Sequence, residues 1–196
     1  TSTTEVKTNK ISPATGVAFA LGDSGDTFTV PSGATIVNSG TATGFGGGKV
    51  GQVVSAIKTD TANTTSTTAV TTGLSVAITP VATSSKILLL ANIGSACNGS
   101  VSNRTFLAFN GGNTATFLGD AATGHECAAG FTSHRTSYGQ SVANMMYLDS
   151  PATTSEVTYS IYYWGDTGTT YFNSSPTINA ENGNAASSIT AIEVLA

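Results

Sequence analysis

Val157, Tyr159, Ile161 and Tyr163 alternate with Thr158, Ser160, Tyr162 and Trp164. A two-residue period marks a β-strand, because successive side chains leave a strand on opposite faces. Leu74, Val76 and Ile78 alternate in the same way with Ser75, Ala77 and Thr79, and Pro80 ends that run. Val50–Lys58 is rich in apolar residues and precedes the threonine tract Thr59–Thr72. Lys86–Ile93 is almost continuously apolar, the pattern of a strand buried on both faces. Thr105–Asn110 leads into Gly111-Gly112, a hairpin signal, with Thr114–Leu118 as the returning strand. Ser141–Leu148, Thr169–Asn173 after the turn Gly165–Gly168, and Ile189–Leu195 complete the set. Roughly eight to ten closely spaced strands with no helical run predict an all-β chain, an antiparallel β-sandwich or jelly roll.

Two further strands are predicted nearer the N-terminus, Asp26–Val30 and Ala34–Asn38, on either side of Pro31-Ser32-Gly33. Phe28, Val30 and Ile36 share one face and Thr27, Thr29 and Thr35 the other. A pair this short is unstable alone in water, so its apolar face must pack on the rest of the chain or on other copies of it. Three parts follow: an extended anchor over 1–25, a short β stem over 26–48 that ends in the glycine patch Gly44–Gly48, and a head over 49–196. In the head, Tyr162 and Trp164 lie on the face of their strand opposite to Tyr159 and Ile161. Either a subunit interface buries these aromatics or the head covers both faces itself.

Composition narrows the function classes. Only 9% of the 196 residues are charged, and Thr, Ser, Asn and Gly carry the polar surface, which suits strands and turns better than amphipathic helices. The net charge of −4, with no basic cluster beyond Lys7 and Lys10, argues against nucleic-acid binding through phosphates. No apolar run approaches the roughly 20 residues of a spanning helix, and the first ten residues hold no signal-peptide core. The pair Cys97 and Cys127 is compatible with a disulfide or with two thiols.

Candidate chemistry is sparse. His125, Glu126, Cys127 and His134 are metal-ligand types without a zinc spacing, and alternation would send neighbours to opposite faces. No nucleophile elbow accompanies the cysteines or histidines. The acid pairs Asp120 with Glu126 and Asp149 with Glu156 are the coincidences that eleven acids produce. Gly44–Gly48 is no phosphate loop, since Lys49 is followed by Val50. The Asn-X-Ser/Thr triplets at Asn63, Asn98, Asn103 and Asn173 are expected by chance in so Thr-rich a chain. No enzyme activity, cofactor or metal is expected. Two groups stand out as receptor-binding candidates: Phe131, His134, Arg135 and Tyr138, and Tyr171, Phe172 and Asn173.

The order of several short motifs resembles tail-fibre and head-fibre proteins of tailed, marine-type bacteriophages. These are Lys7–Gly16, Gly25–Ile36, Ser84–Leu90, Leu148–Thr154 and Ile189–Val194. The resemblance spans nearly the whole chain. It implies a C-terminal head similar to the trimeric jelly rolls of complement and tumour-necrosis-factor proteins. It therefore implies a homotrimer on the exterior of the virion, anchored to another virion protein through the N-terminal segment. Phe28, Val30, Ile36, Tyr162 and Trp164 would then lie in the trimer interface, and the head would bind a host surface glycan or protein. The alternative is a capsid decoration or structural fibre that binds no receptor.

Overall fold

The computed structural model describes residues 23–27, 29–35, 37, 50–98, 103–120, 126–134, 139–177 and 183–195. The chain divides into two units, Thr1–Gly46 and Gly47–Ala196. In the first unit the expected turn is present: Ala34 N–H bonds Pro31 C=O at 3.1 Å, with Gly33 at φ +86°. Glycine suits that position because an L side chain rarely adopts it. An earlier turn closes through Asp26 N–H to Asp23 C=O at 3.1 Å. No strand is present among the described residues of this unit, and Val30 is exposed. Phe28 and Ile36 lie outside the described residues.

The second unit is all-β. It holds β1 (Val50–Lys58), β2 (Ala62–Thr64), β3 (Val70–Ile78), β4 (Lys86–Asn98), β5 (Asn103–Asn110), β6 (Gly130–His134), β7 (Ser141–Asp149), β8 (Val157–Gly165), β9 (Thr169–Phe172) and β10 (Ser187–Val194). These form two antiparallel sheets. The six-stranded sheet runs β1-β10-β4-β9-β2, with β7 on the other edge of β4, and the four-stranded sheet runs β3-β8-β5-β6. Strand β4 is long enough to take β10 along residues 86–92 and β9 along 95–98, while β7 runs along 87–95. Apart from the short β2 and β9, the remaining eight strands pair as a nested ribbon, first with last: β1 with β10, β3 with β8, β4 with β7 and β5 with β6.

The core lies between the sheets, and alternation fixes who enters it. Leu74, Val76 and Ile78 of β3 and Tyr159, Ile161 and Tyr163 of β8 face Ile87, Leu89 and Ile93 of β4 and Ile189 and Ala191 of β10. Two expectations need correction. Strand β4 is not buried on both faces: Ile87, Leu89, Ala91 and Ile93 point inward, whereas Leu88 is half-buried and Leu90 exposed. On the outer side of that sheet Val53, Leu90, Met146 and Leu148 are exposed. The hairpin at Gly111-Gly112 also does not form. Both edges of β5 are already occupied, by β8 and β6, so a returning strand has no place to pair. Residues Thr114–Thr116 instead make a 3₁₀ turn, closed by Phe117 N–H to Thr114 C=O at 2.9 Å, and Thr114 Oγ1 donates back to Gly111 C=O at 2.7 Å.

Candidate functional site

The outer face of the four-stranded sheet carries an aromatic row. Register places Trp164 of β8 beside Phe106 of β5, and Phe106 beside Phe131 of β6. The Phe106 and Trp164 rings stack at 5.6 Å between centroids and 26° between planes. The segment Glu126–Ala128 lies on this row: Ala128 packs on the Phe106, Ala108 and Trp164 cluster, and the Trp164 indole N–H makes a long 3.4 Å bond to Glu126 Oε2. Trp164 is thus 6% exposed and covered by its own chain. This favours the second of the two explanations weighed for it, a head that covers both faces of β8. Exposure of Trp164 therefore gives no support to placing it in a trimer interface. Tyr162, one turn of the alternation away, is half-buried.

Two clefts open along this face. The first, about 680 Å³, is lined by Tyr162 and Trp164 of β8, Ala108 and Asn110 of β5, Thr67–Ala69, the Gly111-Gly112 and Thr114-Ala115 pairs, and Glu126 and Cys127. The second, about 670 Å³, is lined by Arg104, Phe106, Gly119, Glu126, Ala128, Phe131 and Asp166. Phe131, 63% exposed, belongs to this second cleft. Of the first receptor-binding group it is the member whose side chain is described. His134 ends β6 but its side chain, and all of Arg135 and Tyr138, lie outside the described residues.

The second group does not form a recognition surface. Phe172 is fully buried in the core. Asn173 is buried in a left-handed conformation at φ +58°. Its side-chain NH₂ donates to Lys58 C=O at 2.8 Å and Asp60 C=O at 3.1 Å, and its Oδ1 accepts from Ser187 Oγ at 2.6 Å. Its backbone bonds Gly94 C=O and Ala185 N–H. With every polar group engaged, Asn173 is a structural hub and presents nothing to a receptor. Tyr171 remains half-buried, its hydroxyl accepting from Asn98 Nδ2 at 3.3 Å.

The outer face of the six-stranded sheet was not anticipated as a site, although the apolar run of β4 held the signal. Register aligns Val53, Ile192, Leu88 and Leu148 in one row across β1, β10, β4 and β7. The next row is Ser55, Thr190, Leu90 and Met146. Val53 is 58% exposed, Met146 63% and Leu148 45%. The first row is apolar throughout, the second is apolar in its Leu90 and Met146 half, and neither carries a charge.

The two buried acids among the described residues, Glu193 and Asp149, are each held by hydrogen bonds. Glu193, at an inward position of β10, accepts from Val81 N–H at 2.7 Å and Gln52 Nε2 at 2.9 Å. Burial alone would push its carboxyl up, but the bonds from Gln52 and the Val81 backbone outweigh that and hold it below its usual range. Asp149, one of the acids weighed for catalysis, is fully buried against Tyr159 and Asn113, while Glu156 is exposed. Cys97 is buried in β4 and Cys127 is half-buried beside the first cleft; they are not joined in a disulfide. No group of three metal-ligand side chains exists among the described residues. Set against known proteins, the chain matches no family model and no curated sequence.

Proposed function

We propose that this chain is a phage virion structural protein that assembles as a homotrimeric fibre, with a jelly-roll head that binds the host cell surface. The observation that carries the assembly is the apolar outer face of β1, β10, β4 and β7. Burial of such a face is favourable by about 25 cal/mol per Å² of apolar surface removed from water. The two uncharged rows are self-complementary in character, as an interface between identical copies requires. The nested pairing of eight strands into two four-stranded layers supports the jelly roll, whose two Greek keys arise from such a folded ribbon. The number three, the virion and the N-terminal attachment to another virion protein rest on the motif resemblance. Repeated heads on one particle would turn weak single contacts into firm adhesion through effective concentration.

Native mass measurement of the full chain tests the assembly, with a mass three times that of one chain expected; a monomer at micromolar concentration would overturn it. Adsorption competition tests the host-binding part. Purified protein that blocks phage attachment supports it, whereas protein that assembles without blocking attachment identifies a decoration or purely structural fibre.

A further inference from the structure

We infer that the first cleft, over Tyr162 and Trp164, is a binding site for a short neutral saccharide; this deepens, and rests on, the host-surface reading above. Its volume of about 680 Å³ falls in the usual range for small-molecule sites, roughly 300–1,000 Å³. Its sides are fixed before any ligand arrives. On one side Ser66 Oγ donates to Thr68 C=O at 2.6 Å and accepts from Thr68 N–H at 3.1 Å, while Ser66 C=O accepts from Gly165 N–H at 3.1 Å. On the other, Asn113 N–H is bonded to the buried Asp149 carboxylate and Thr114 is bonded back to Gly111. A site held in this way loses little entropy on binding.

The chemistry of the lining selects the ligand. A sugar ring has an apolar C–H face and a rim of hydroxyls. The half-buried Tyr162 ring gives the floor its main open apolar surface, and Trp164 and Ala108, both buried, add only a small part of it. Asn110, Thr67 and Glu126 stand around it with amide, hydroxyl and carboxylate groups, which together donate to and accept from hydroxyls. Glu126 is the one charged residue of the lining. Its carboxylate accepts bonds from sugar hydroxyls and, as the one charge in this lining, disfavours phosphates, uronic acids and other anions there; Arg104 belongs to the second cleft, which Glu126 also lines. The cleft therefore discriminates by charge as well as by shape.

Trp164 is the sole tryptophan of the chain, so its emission reports directly on this cleft. The full-length protein is titrated with a panel of neutral di- and trisaccharides of glucose, galactose and mannose, and with uronic-acid counterparts. At least one neutral sugar is expected to shift Trp164 emission saturably, and the acidic counterparts to leave it unchanged. Asn110→Ala is expected to weaken that binding about tenfold and Thr67→Ala about threefold, the size of one neutral hydrogen bond each. Both positions are exposed and tolerate truncation. Absence of a saturable response to every neutral sugar, equal binding of the uronic acids, or unchanged affinity in both variants would each overturn the site. Native mass on the same samples separates the two readings. An assembled protein that ignores sugars loses only the cleft proposal, and a sugar-binding monomer loses only the assembly.

Discussion

Tyr159 donates its phenolic hydrogen to Asp149 Oδ2 at 2.7 Å, a bond that ties β8 of the four-stranded sheet to β7 of the six-stranded sheet. Both residues are fully buried. Burial, and then the carboxylate itself, push the Tyr159 hydroxyl far above its ordinary pKa, so it stays a donor. Asn113 N–H adds a second partner, 3.2 Å from either carboxylate oxygen. The same carboxylate thus joins the two sheets and pins the loop that walls the first cleft.

Removal of the phenolic hydroxyl leaves the buried carboxylate short of a donor. Tyr159→Phe is expected to lower stability by about 1.5–3 kcal/mol, the range for hydrogen bonds to charged groups. Chemical denaturation checks this, with a lower midpoint and an unchanged slope. An unchanged midpoint would mean that water replaces the hydroxyl and that the sheets are held together elsewhere.

Gly111 makes the loop's path sterically specific. It sits at φ +119°, and a Cβ there would run into the carbonyl oxygen of Thr158 on β8. That atom is backbone in a paired strand and has no room to retreat. Gly111→Ala is expected to cost about 2 kcal/mol or more, since left-handed strain of roughly 1–2 kcal/mol adds to the clash. Gly25→Ala serves as the comparison: it also has positive φ, at +97°, but open space around it, and should cost less. Thermal unfolding of the two variants gives the ordering.

The pH dependence of stability follows from Glu193. Its folded pKa lies below the ordinary value of 4.5, with bonds from Gln52 and Val81 outweighing the effect of burial. A depressed carboxyl contributes stability that is fully present above the unfolded pKa and is lost as pH falls through the folded one. The unfolding midpoint should hold steady from neutral pH down to about 4.5 and then decline. Glu193→Gln should be less stable at neutral pH and show a shallower acid decline. Parallel acid limbs for the two proteins would assign the decline to other carboxylates.

Strand periodicity carried most of the fold. Leu74–Ile78, Val157–Tyr163 and Ile189–Val194 are all strands with the inward faces that their alternation dictates. Lys86–Ile93 was ambiguous, because an uninterrupted apolar run describes equally a strand buried on both sides and one whose outer face awaits a partner. Only the register with β7 and β10 separates these. β6 is not legible in the sequence, because Gly130, Thr132 and Ser133 dilute its pattern and it pairs with β5 alone. The failed hairpin was a matter of competition: β5 had better partners far away in sequence, and local turn chemistry cannot report that. For the binding residues, Phe131 reads as exposed in both views. Phe172 and Asn173 show the limit of composition, since an Asn near aromatics is equally a loop contact or a buried hub. The left-handed φ of Asn173, which sets it as a hub, is not legible in the sequence.

The outer row Val53, Ile192, Leu88 and Leu148 is the surface that the proposed assembly would bury. Leu148 lies on β7 at the edge of the sheet and Met146 two residues before it, both pointing away from the core. Leu148→Lys places an ammonium where a neighbouring copy would exclude water, and an unpaired buried charge costs several kcal/mol. In a single chain the same lysine sits in solvent and should change stability by less than about 0.5 kcal/mol. The double variant Met146→Lys with Leu148→Lys is therefore expected to dissociate while its far-UV circular dichroism and Trp164 emission stay unchanged. Ser75→Lys, exposed on β3 of the other sheet, should leave the assembled mass intact. If the double variant keeps the wild-type mass, the copies meet through a different surface, and the apolar face of the six-stranded sheet must be covered by some other partner.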